Sequence, residues 1–414
     1  MSSTQAPEKA AIAGGTPAKT VPFTKQPKFD ETEITELREA LEQGTLFYAF
    51  GKKVKELTAA FAEKHGAKHG VATSSGTASI HAALIAAGVS PGDEVIVSPI
   101  TDMGSVGPIL WQGAIPVFAD VHPTRHSVTV ETVKAKISPK TKAVVLVHLW
   151  GNPADPKAIR ELCDEHNIVL IEDCAQAYGC KFEGELVGRF GHYGCFSLND
   201  FKHISCGDGG VVLTDDEAVA RRLRLSVDKG YSREADATDR NPTFLCANYR
   251  MTELQGAVGL AQLRKLDSII ERRQKWINEL RERIGHLKGI VLPEVTPGGE
   301  ASYWFFMFRA DAEVLGATAD ELAAALNAEN LGVGAHYIGK CIYEYPLFVN
   351  HSAYERGGHA YESVKYGKGL CPQAEDLLAN CLILPVNEGY TQQDLDETVK
   401  AFEKVVAHFE AQKK

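Results

Sequence analysis

The residues with the clearest chemical potential lie in two short stretches, one around Lys202 and one ending at Asp173. Lys202 precedes the glycine-rich turn Gly207–Gly210, and about thirty residues upstream the apolar run Ile168–Ile171 ends in Glu172 and Asp173. A lysine can hold an aldehyde cofactor as a Schiff base and later move a substrate proton, and a carboxylate can keep a pyridine nitrogen protonated. The two stretches together therefore predict the chemistry of a pyridoxal phosphate enzyme.

Each of these residues also has a structural interpretation. A lysine beside a strand end is usually a surface residue, although here the following glycines allow a close backbone approach and Ser197 could reach a phosphate from the same loop. Asp173 could instead cap the next helix or form a structural salt bridge. Gln176, one helical turn further on, could donate to a cofactor oxygen or lie on a solvated helix face. The order of these residues along the chain favours the functional interpretation.

The turn Ser74–Thr77 joins a predicted strand to a predicted helix. Free backbone N–H groups and the positive end of the helix suit a phosphate monoester there, and helix capping by Ser and Thr is the structural alternative. The chain contains neither a GxxxxGK[ST] phosphate loop nor a GxGxxG dinucleotide turn.

Composition excludes several classes of function. The net charge of −10 argues against nucleic acid as a general partner. The nine cysteines form no CxxC pair and no zinc-type spacing with histidine, so no metal site is predicted and the thiols are expected to be reduced. No apolar stretch approaches the ~20 residues that span a bilayer, and the N-terminus lacks the features of a secretory signal. We expect a cytoplasmic protein without a membrane partner.

The pattern along the chain predicts an α/β fold, because apolar runs typical of strands buried on both faces alternate with amphipathic helices between about residues 55 and 215. After Thr252 the spacing indicates long amphipathic helices, followed by a strand at Tyr303–Phe308 and a closing helix at Thr391–Gln412. The prediction is a flexible N-terminal segment (1–20), a large domain (21–269) with a mostly parallel mixed sheet between helices, and a smaller C-terminal α/β domain (270–414). The strands predicted for the large domain are Gly70–Thr73, Glu94–Val97, Ile115–Ala119, Val144–His148, Ile168–Ile171, Gly194–Ser197 and Gly210–Leu213.

Five motifs carry a resemblance to a known family. They are SSGTASIHAAL (74–84), PGDEVI (91–96), IEDCAQAYG (171–179), FSLNDFKHISCGDGG (196–210) and NYRMTELQGAVGLAQL (248–263). In these segments the chain resembles the sugar aminotransferases of the DegT/DnrJ/EryC1/StrS type, which belong to the fold type I (aspartate aminotransferase) superfamily. The similarity runs over nearly the whole chain.

The resemblance implies roles for the residues that match the motifs. Lys202 would form the Schiff base with pyridoxal 5′-phosphate, Asp173 would bind the pyridine nitrogen, and Gln176 would contact the phenolic oxygen. The phosphate would be held by Gly76, Thr77 and Ser197.

Further residues would complete the site from other parts of the assembly. By the same resemblance, Asn248 or Arg250 would reach the phosphate from a second subunit, so that a homodimer shares its active sites. His336 and Tyr337 lie in the segment that similar enzymes direct towards the substrate. One departure concerns the residue after Thr101, where relatives often place an aromatic residue that stacks on the cofactor ring. This chain has Asp102, which we expect to face the substrate.

The resemblance implies an aminotransferase that moves an amino group from L-glutamate or L-glutamine to a keto group of a nucleotide-linked sugar. A free ketocyclitol of the scyllo-inosose type is an alternative substrate, and a regulatory protein that binds the cofactor without turnover is an alternative function. Five cations are candidates to bind a substrate diphosphate, namely Lys52, Lys53, Lys229, Arg233 and Lys340.

Overall fold

The computed structural model describes residues 8–233 and 240–413, so residues 1–7 of the predicted N-terminal segment and Lys414 of the predicted small domain lie outside it. The strands are β1 (His69–Thr73), β2 (Glu94–Val97), β3 (Ile115–Phe118), β4 (Thr141–Val147), β5 (Val169–Asp173), β6 (Lys181–Phe182), β7 (Glu185–Leu186), β8 (Tyr193–Ser197), β9 (Gly210–Thr214), β10 (Ile290–Val291), β11 (Gly299–Glu300), β12 (Phe305–Ala310), β13 (Gly334–Ala335) and β14 (Cys381–Pro385). The helices are α1 (Glu31–Glu42), α2 (Lys53–His65), α3 (Gly76–Ala86), α4 (Met103–Trp111), α5 (Val130–Lys134), α6 (Pro156–Glu165), α7 (Glu217–Val227), α8 (Glu253–Ile284), α9 (Ala312–Leu315), α10 (Ala319–Ala328), α11 (Pro346–Val349), α12 (Pro372–Asn380) and α13 (Gln392–Gln412).

The central sheet has seven strands in the order β1-β9-β8-β5-β4-β2-β3. Neighbours from β8 to β3 run parallel, and β9 runs antiparallel to both β1 and β8. The sheet is mostly parallel and carries helices, which confirms the predicted fold class. Since β1, β4, β5 and β8 point the same way, their carboxyl ends meet at one edge, which is where open α/β sheets bind ligands.

Two further sheets are antiparallel. One has the order β10-β12-β14-β13, and the other is a small sheet of β11, β6 and β7. The strand predicted at Tyr303–Phe308 is β12, which begins two residues later, so that Tyr303 and Trp304 precede it. The helical pattern after Thr252 is one helix of 32 residues, α8, whose first turn Thr252 caps through a reciprocal pair of bonds with Gln255. The predicted domain boundary at 269/270 falls within this helix, and the division remains a prediction.

The described part of the N-terminal segment contacts the C-terminal half of the chain. The backbone N–H groups of Ala11 and Ala18 donate to the carboxylate of Glu329, at 2.7 and 2.6 Å. The buried ammonium of Lys19 pairs with Asp394 at 2.6 Å. These bonds attach residues 11–19 to α10 and α13. Within the described residues, no helix combines the length and the apolar character needed to cross a bilayer.

Candidate active site

A cavity of about 320 Å³ opens at the carboxyl edge of the central sheet. It lies between the first turn of α3, the start of α4, the ends of β5 and β8, and Trp304. The predicted site residues that it brings together are Gly76, Thr77, Asp102, Asp173, Ser197 and Lys202. Five other predicted site residues are absent from its lining as far as the structure describes it, namely Gln176, Asn248, Arg250, His336 and Tyr337.

Lys202 lies in the turn that links β8 to β9, and its amine faces the cavity. Its Nζ atom is 3.8 Å from the centroid of the Trp304 ring. Burial lowers the pKa of this amine, and the negative charges of Asp173 and Asp102 oppose that effect. A lysine whose amine loses its proton more readily than in water is suited to nucleophilic attack and to proton transfer.

Asp173 is the last residue of β5, and its side chain is buried at the base of the cavity. Its Oδ2 atom accepts a hydrogen bond from the Ser105 hydroxyl at 2.6 Å, and its Oδ1 atom accepts one from the Ala175 N–H at 3.1 Å. Burial raises the pKa of this carboxyl group. Among the described residues, no cation lies within ion-pair distance of it. A buried carboxylate of this kind fits a cationic ligand group, because neutral donors alone leave its charge uncompensated.

The first turn of α3 forms a backbone cradle beside the cavity. The Ser75 hydroxyl caps the helix by accepting from the Ala78 N–H at 3.1 Å, so the helix starts with Gly76 and Thr77 in its first turn. A Cβ atom added to Gly76 would lie 2.5 Å from the Cβ of Ser197, which leaves glycine as the residue that lets these two elements meet. The hydroxyl of Ser197 and the free N–H groups of a helix N-terminus suit a phosphate.

The residues that line the cavity fit pyridoxal 5′-phosphate. The lining combines the free N-terminus of α3 and the Ser197 hydroxyl, which suit a phosphate, with the buried carboxylate at the end of β5 and the Lys202 amine. Ala175, which follows Asp173 by two residues, supplies a small apolar contact in the same lining.

Gln176 is buried and is not part of the cavity lining. Its Oε1 atom accepts from the backbone N–H of Trp150 at 2.8 Å, and its Nε2 atom donates to the Tyr337 hydroxyl at 3.3 Å. Trp150 has a φ of 49°, a left-handed conformation that non-glycine residues adopt only at a cost, and the bond from Gln176 helps to hold it. Gln176 and Tyr337 therefore contact each other and do not line the cavity.

The two remaining substrate candidates have different surroundings. Asp102 is exposed at the mouth of the cavity and caps α4 by accepting from the Gly104 N–H at 2.7 Å. The ring of His336 lies 3.0 Å from the Asp320 carboxylate through Nε2 and 3.0 Å from the Leu378 carbonyl through Nδ1. These contacts direct the imidazole towards α10 and α12.

Asn248 and Arg250 lie on the segment before α8, outside the cavity of their own chain. Asn248 forms a β-bridge with Asp228, and Arg250 pairs with the carboxylate of Asp228 at 2.6 Å. The same carboxylate also binds Arg233 at 2.6 Å and accepts from the Tyr48 hydroxyl at 2.7 Å. Asp228 thus fixes both the segment of Arg250 and one of the predicted diphosphate cations.

Another of those cations already has partners within the chain. The ammonium of Lys53 pairs with Glu36 at 2.6 Å and also with Glu39, and its side chain is only 8% exposed. It is therefore part of a buried ion cluster between α1 and α2.

The residues His148, Glu172 and Cys174 are close enough to resemble a metal site, with their ligand atoms within 4.8 Å of one another. The polar atoms of His148 and Glu172 already have protein partners. The His148 ring contacts Glu172 at 3.0 Å, and the Glu172 carboxylate accepts from the N–H groups of Gly188 and Gly191. Burial raises the pKa of the Cys174 thiol, which keeps it protonated. The cluster has a structural role in joining β4, β5 and the loop before β8.

Two important residues were missed by the sequence analysis. Ser105 binds Asp173, and its hydroxyl also lies 2.7 Å from that of Thr101. Trp304 covers the Lys202 amine. The only sequence signal for Ser105 was its place one helical turn after Thr101, and Trp304 was hidden in a run of aromatic residues predicted to be a strand.

Comparisons with known proteins agree with this geometry. A sequence model of the DegT/DnrJ/EryC1/StrS aminotransferase family matches residues 27–403. The chain is 31% identical to the spore coat polysaccharide biosynthesis protein SpsC of Bacillus subtilis (92% of this chain and 96% of SpsC). It is also 31% identical to the GDP-perosamine synthase of Caulobacter vibrioides (92% and 97%). Among solved structures, DesI in the presence of its TDP-sugar product superposes with a TM-score of 0.82 at 27% identity, covering 98% of both chains.

Proposed function

The chain belongs to the DegT/DnrJ/EryC1/StrS aminotransferase family, and we propose that it transfers an amino group from L-glutamate or L-glutamine to the keto group of a nucleotide-linked sugar. It is a pyridoxal phosphate-dependent enzyme. The observation that carries the proposal is the placement of Lys202, Asp173 and the first turn of α3 around one cavity. The nucleotide-linked substrate is supported by two relatives, one a GDP-perosamine synthase and the other DesI, whose structure was determined in the presence of its TDP-sugar product.

In this proposal the residues of the cavity hold the cofactor at two points besides Lys202. The N–H groups of Gly76 and Thr77, with the Ser197 hydroxyl, bind the phosphate. The Asp173 carboxylate binds the protonated pyridine nitrogen, whose charge compensates the buried carboxylate. When bound, the cofactor supplies an electron-withdrawing ring that stabilises the negative charge left on a carbon that loses its proton.

Lys202 moves the proton. Because burial lowers the pKa of its amine, Nζ can take the proton from Cα of the amino acid as a neutral base and return it as an acid. Such general acid–base catalysis typically contributes ~10²- to 10⁴-fold. Gln176 binds Trp150 and Tyr337 outside the lining, and Asp102 at the mouth of the cavity faces the incoming sugar.

The first test is the visible absorption of the purified protein, before and after L-glutamate or L-glutamine is added. We expect the band of the lysine-linked cofactor to fade when the donor is added, because the amino group passes to the cofactor. Lys202→Ala is expected to lack this band and to abolish turnover. A wild-type band that ignores both amino acids would favour a regulatory protein, and turnover retained in Lys202→Ala would contradict the assignment.

The substrate needs its own experiment. Transamination of nucleotide-linked 3- and 4-ketosugars is compared with that of free scyllo-inosose under the same conditions. We expect turnover with a nucleotide-linked ketosugar and none with the free ketocyclitol, and the reverse result would replace the proposed substrate class.

A further inference from the structure

Two side chains from distant parts of the sequence hold the backbone of the turn that carries Lys202. The Lys28 ammonium donates to the carbonyl of Asp200 and, at 3.3 Å, to that of Lys202. The indole N–H of Trp304 donates to the intervening carbonyl, that of Phe201, at 2.7 Å. Side chains outside the turn thus bind three consecutive carbonyl groups within it. These bonds fix the backbone from which the lysine side chain extends.

Trp304 is itself held firmly. Its backbone N–H donates to the Trp150 carbonyl at 3.0 Å, and its own carbonyl accepts from Arg273 at 3.1 Å. Because its indole N–H is also bound to the turn, both the backbone and the ring of Trp304 are held in place. The face of the ring is therefore a fixed surface of the cavity.

The Lys202 amine lies on that face, with Nζ 3.8 Å from the ring centroid. Among the described residues, its Nζ has no hydrogen-bond partner and no ion pair. An ammonium group over an indole ring is attracted by the negative face of the π system, and the attraction strengthens when water is excluded.

Several charges act on this amine. Burial favours its neutral form, whereas the carboxylates of Asp173 and Asp102 favour the ammonium form. His203, next to it in the turn, is buried, and burial holds the pKa of its imidazole well below the usual range. Lys28 is a neighbouring positive charge whose own pKa is lowered by burial. Within residues 8–233 and 240–413 no carboxylate is within ion-pair distance of Nζ, which leaves the ring as the group in direct contact with the amine.

We propose that Trp304 is a positioning residue for Lys202, whose indole N–H fixes the lysine-bearing turn and whose ring face receives the ammonium group whenever the lysine is released from the cofactor. The inference rests on the proposed role of Lys202. The ring face gives the amine a defined position during the interval between proton removal and proton return. The ring stabilises the amine only while the amine carries the proton, since a neutral amine is attracted little by the ring.

The test uses the full-length protein loaded with pyridoxamine 5′-phosphate, a form in which Lys202 carries a free amine. Labelling of Lys202 by limiting acetic anhydride is followed by mass spectrometry as a function of pH, because only the neutral amine reacts. The variants are Trp304→Leu, which removes both the ring and the N–H donor, and Trp304→Phe, which keeps a ring face. Lys28→Met is the matched control, since it loosens the same turn without touching the ring.

In Trp304→Leu we expect the midpoint of labelling to fall by about one pH unit, so that Lys202 reacts about tenfold faster below its midpoint. In Trp304→Phe the midpoint should remain within a few tenths of that of the parent protein, and in Lys28→Met it should not fall, because loss of a neighbouring positive charge favours the ammonium form of Lys202. A midpoint that is unmoved or raised in Trp304→Leu would overturn the proposal, as would an equal fall in Lys28→Met. If Trp304→Leu does not fold, a fall of one unit in Trp304→Phe would likewise contradict the role of the ring face.

Failure of the proposed function would be recognised separately. Parent protein that forms no lysine-linked band with pyridoxal 5′-phosphate would remove the role of Lys202, whatever the labelling of the Trp304 variants. A normal band together with an unshifted midpoint in Trp304→Leu would remove only the role of Trp304.

Discussion

Asp173 is held by a hydroxyl and a backbone N–H rather than by a cation. The chain thus leaves the compensation of this buried charge to a ligand, and the two donors orient the carboxylate towards the cavity. Ser105, backed by Thr101, is the only side chain among the described residues that donates to it. In the proposed cofactor site, the orientation of Asp173 therefore depends on one serine outside the recognised motifs.

We predict that Ser105→Ala weakens the binding of pyridoxal 5′-phosphate by about tenfold or more, since a hydrogen bond to a charged group contributes about 1.5–3 kcal/mol. Loss of the donor should raise the already elevated pKa of Asp173 further, because the carboxylate is stabilised less. Activity should then fall at a higher pH on the acid side than in the parent protein. Cofactor titration of the protein and pH–rate profiles measure both effects.

Ser105→Thr is the matched control for this prediction, because it retains the hydroxyl group. Cofactor binding by Ser105→Ala that equals that of the parent protein would show that the bond to Asp173 does not support the ligand. Cofactor binding by Ser105→Thr that is as weak as that of Ser105→Ala would lead to the same conclusion.

The sequence predicted the cavity residues whose position follows from local order. Asp173 ends β5, Gly76 follows the end of β1 and Lys202 follows the end of β8, and the carboxyl ends of these parallel strands meet. Ser105 and Trp304 could not be predicted in this way. Their roles come from contacts across different elements, and neither their residue types nor their spacing distinguishes them from residues of the core.

The long helix α8 connects the segments that surround the site. Its N-terminal Glu253 is buried, and the carboxylate accepts from the N–H groups of Lys53 and Val54 at the start of α2. Further along, the Gln262 side chain donates to the Lys28 carbonyl at 2.7 Å and accepts from the Ser205 N–H at 3.3 Å. The position of α8 thus supports both Lys28 and the loop that follows Lys202.

The close packing of α2 on α8 depends on Gly256. A Cβ atom at this position would lie 2.7 Å from the backbone nitrogen of Val54, which cannot move aside as a flexible side chain could. We predict that Gly256→Ala lowers the free energy of unfolding by about 1–3 kcal/mol, as overpacking does in other cores, despite the better helix propensity of alanine. Urea unfolding measures the change.

The exposed Glu271 on the same helix provides the control. Glu271→Ala is expected to remain within about 0.5 kcal/mol of the parent protein, as surface substitutions usually do. A Gly256→Ala protein as stable as this control would mean that the two helices can separate at no cost.

The strands of the central sheet were predictable because apolar runs of this kind are buried on both faces, whereas α4 was not predicted. Its sequence contains Gly104, Gly107 and Pro108, which disfavour a helix in isolation. Burial of Val106, Ile109 and Leu110 against the core decides the outcome there. The bounds of β12 were shifted for a related reason, since Trp304 turns its side chain into the cavity before the ladder begins.

The free energy of unfolding is expected to depend on pH through buried histidines. His65 is buried in contact with Phe61, and burial lowers the pKa of its imidazole from 6.5 to about 4. The folded state therefore binds a proton less readily than the unfolded state. The stabilisation is complete above pH 6.5 and is lost as the pH falls towards 4, by about 3 kcal/mol for this residue.

Replacement of the titrating group should flatten that dependence. In His65→Asn, the decline in the free energy of unfolding between pH 6.5 and 4 should be smaller than in the parent protein by about 3 kcal/mol, even if the variant is less stable at pH 7. Urea unfolding at a series of pH values gives both slopes. Parallel pH profiles for the two proteins would show that His65 does not titrate on unfolding.

The proposed homodimer makes the strongest prediction about the whole molecule. Asn248 and Arg250 lie outside the cavity of their own chain, so a phosphate site that uses them must be completed by a second copy. Lys202→Ala and the double variant Asn248→Ala/Arg250→Ala should each be inactive alone. When the two are co-expressed, random pairing makes half of the dimers mixed, and in each mixed dimer one site carries both defects while the other carries none. About a quarter of the parent activity should therefore return. If all functional groups of a site came from one chain, co-expression would restore nothing, and the shared site would have to be abandoned.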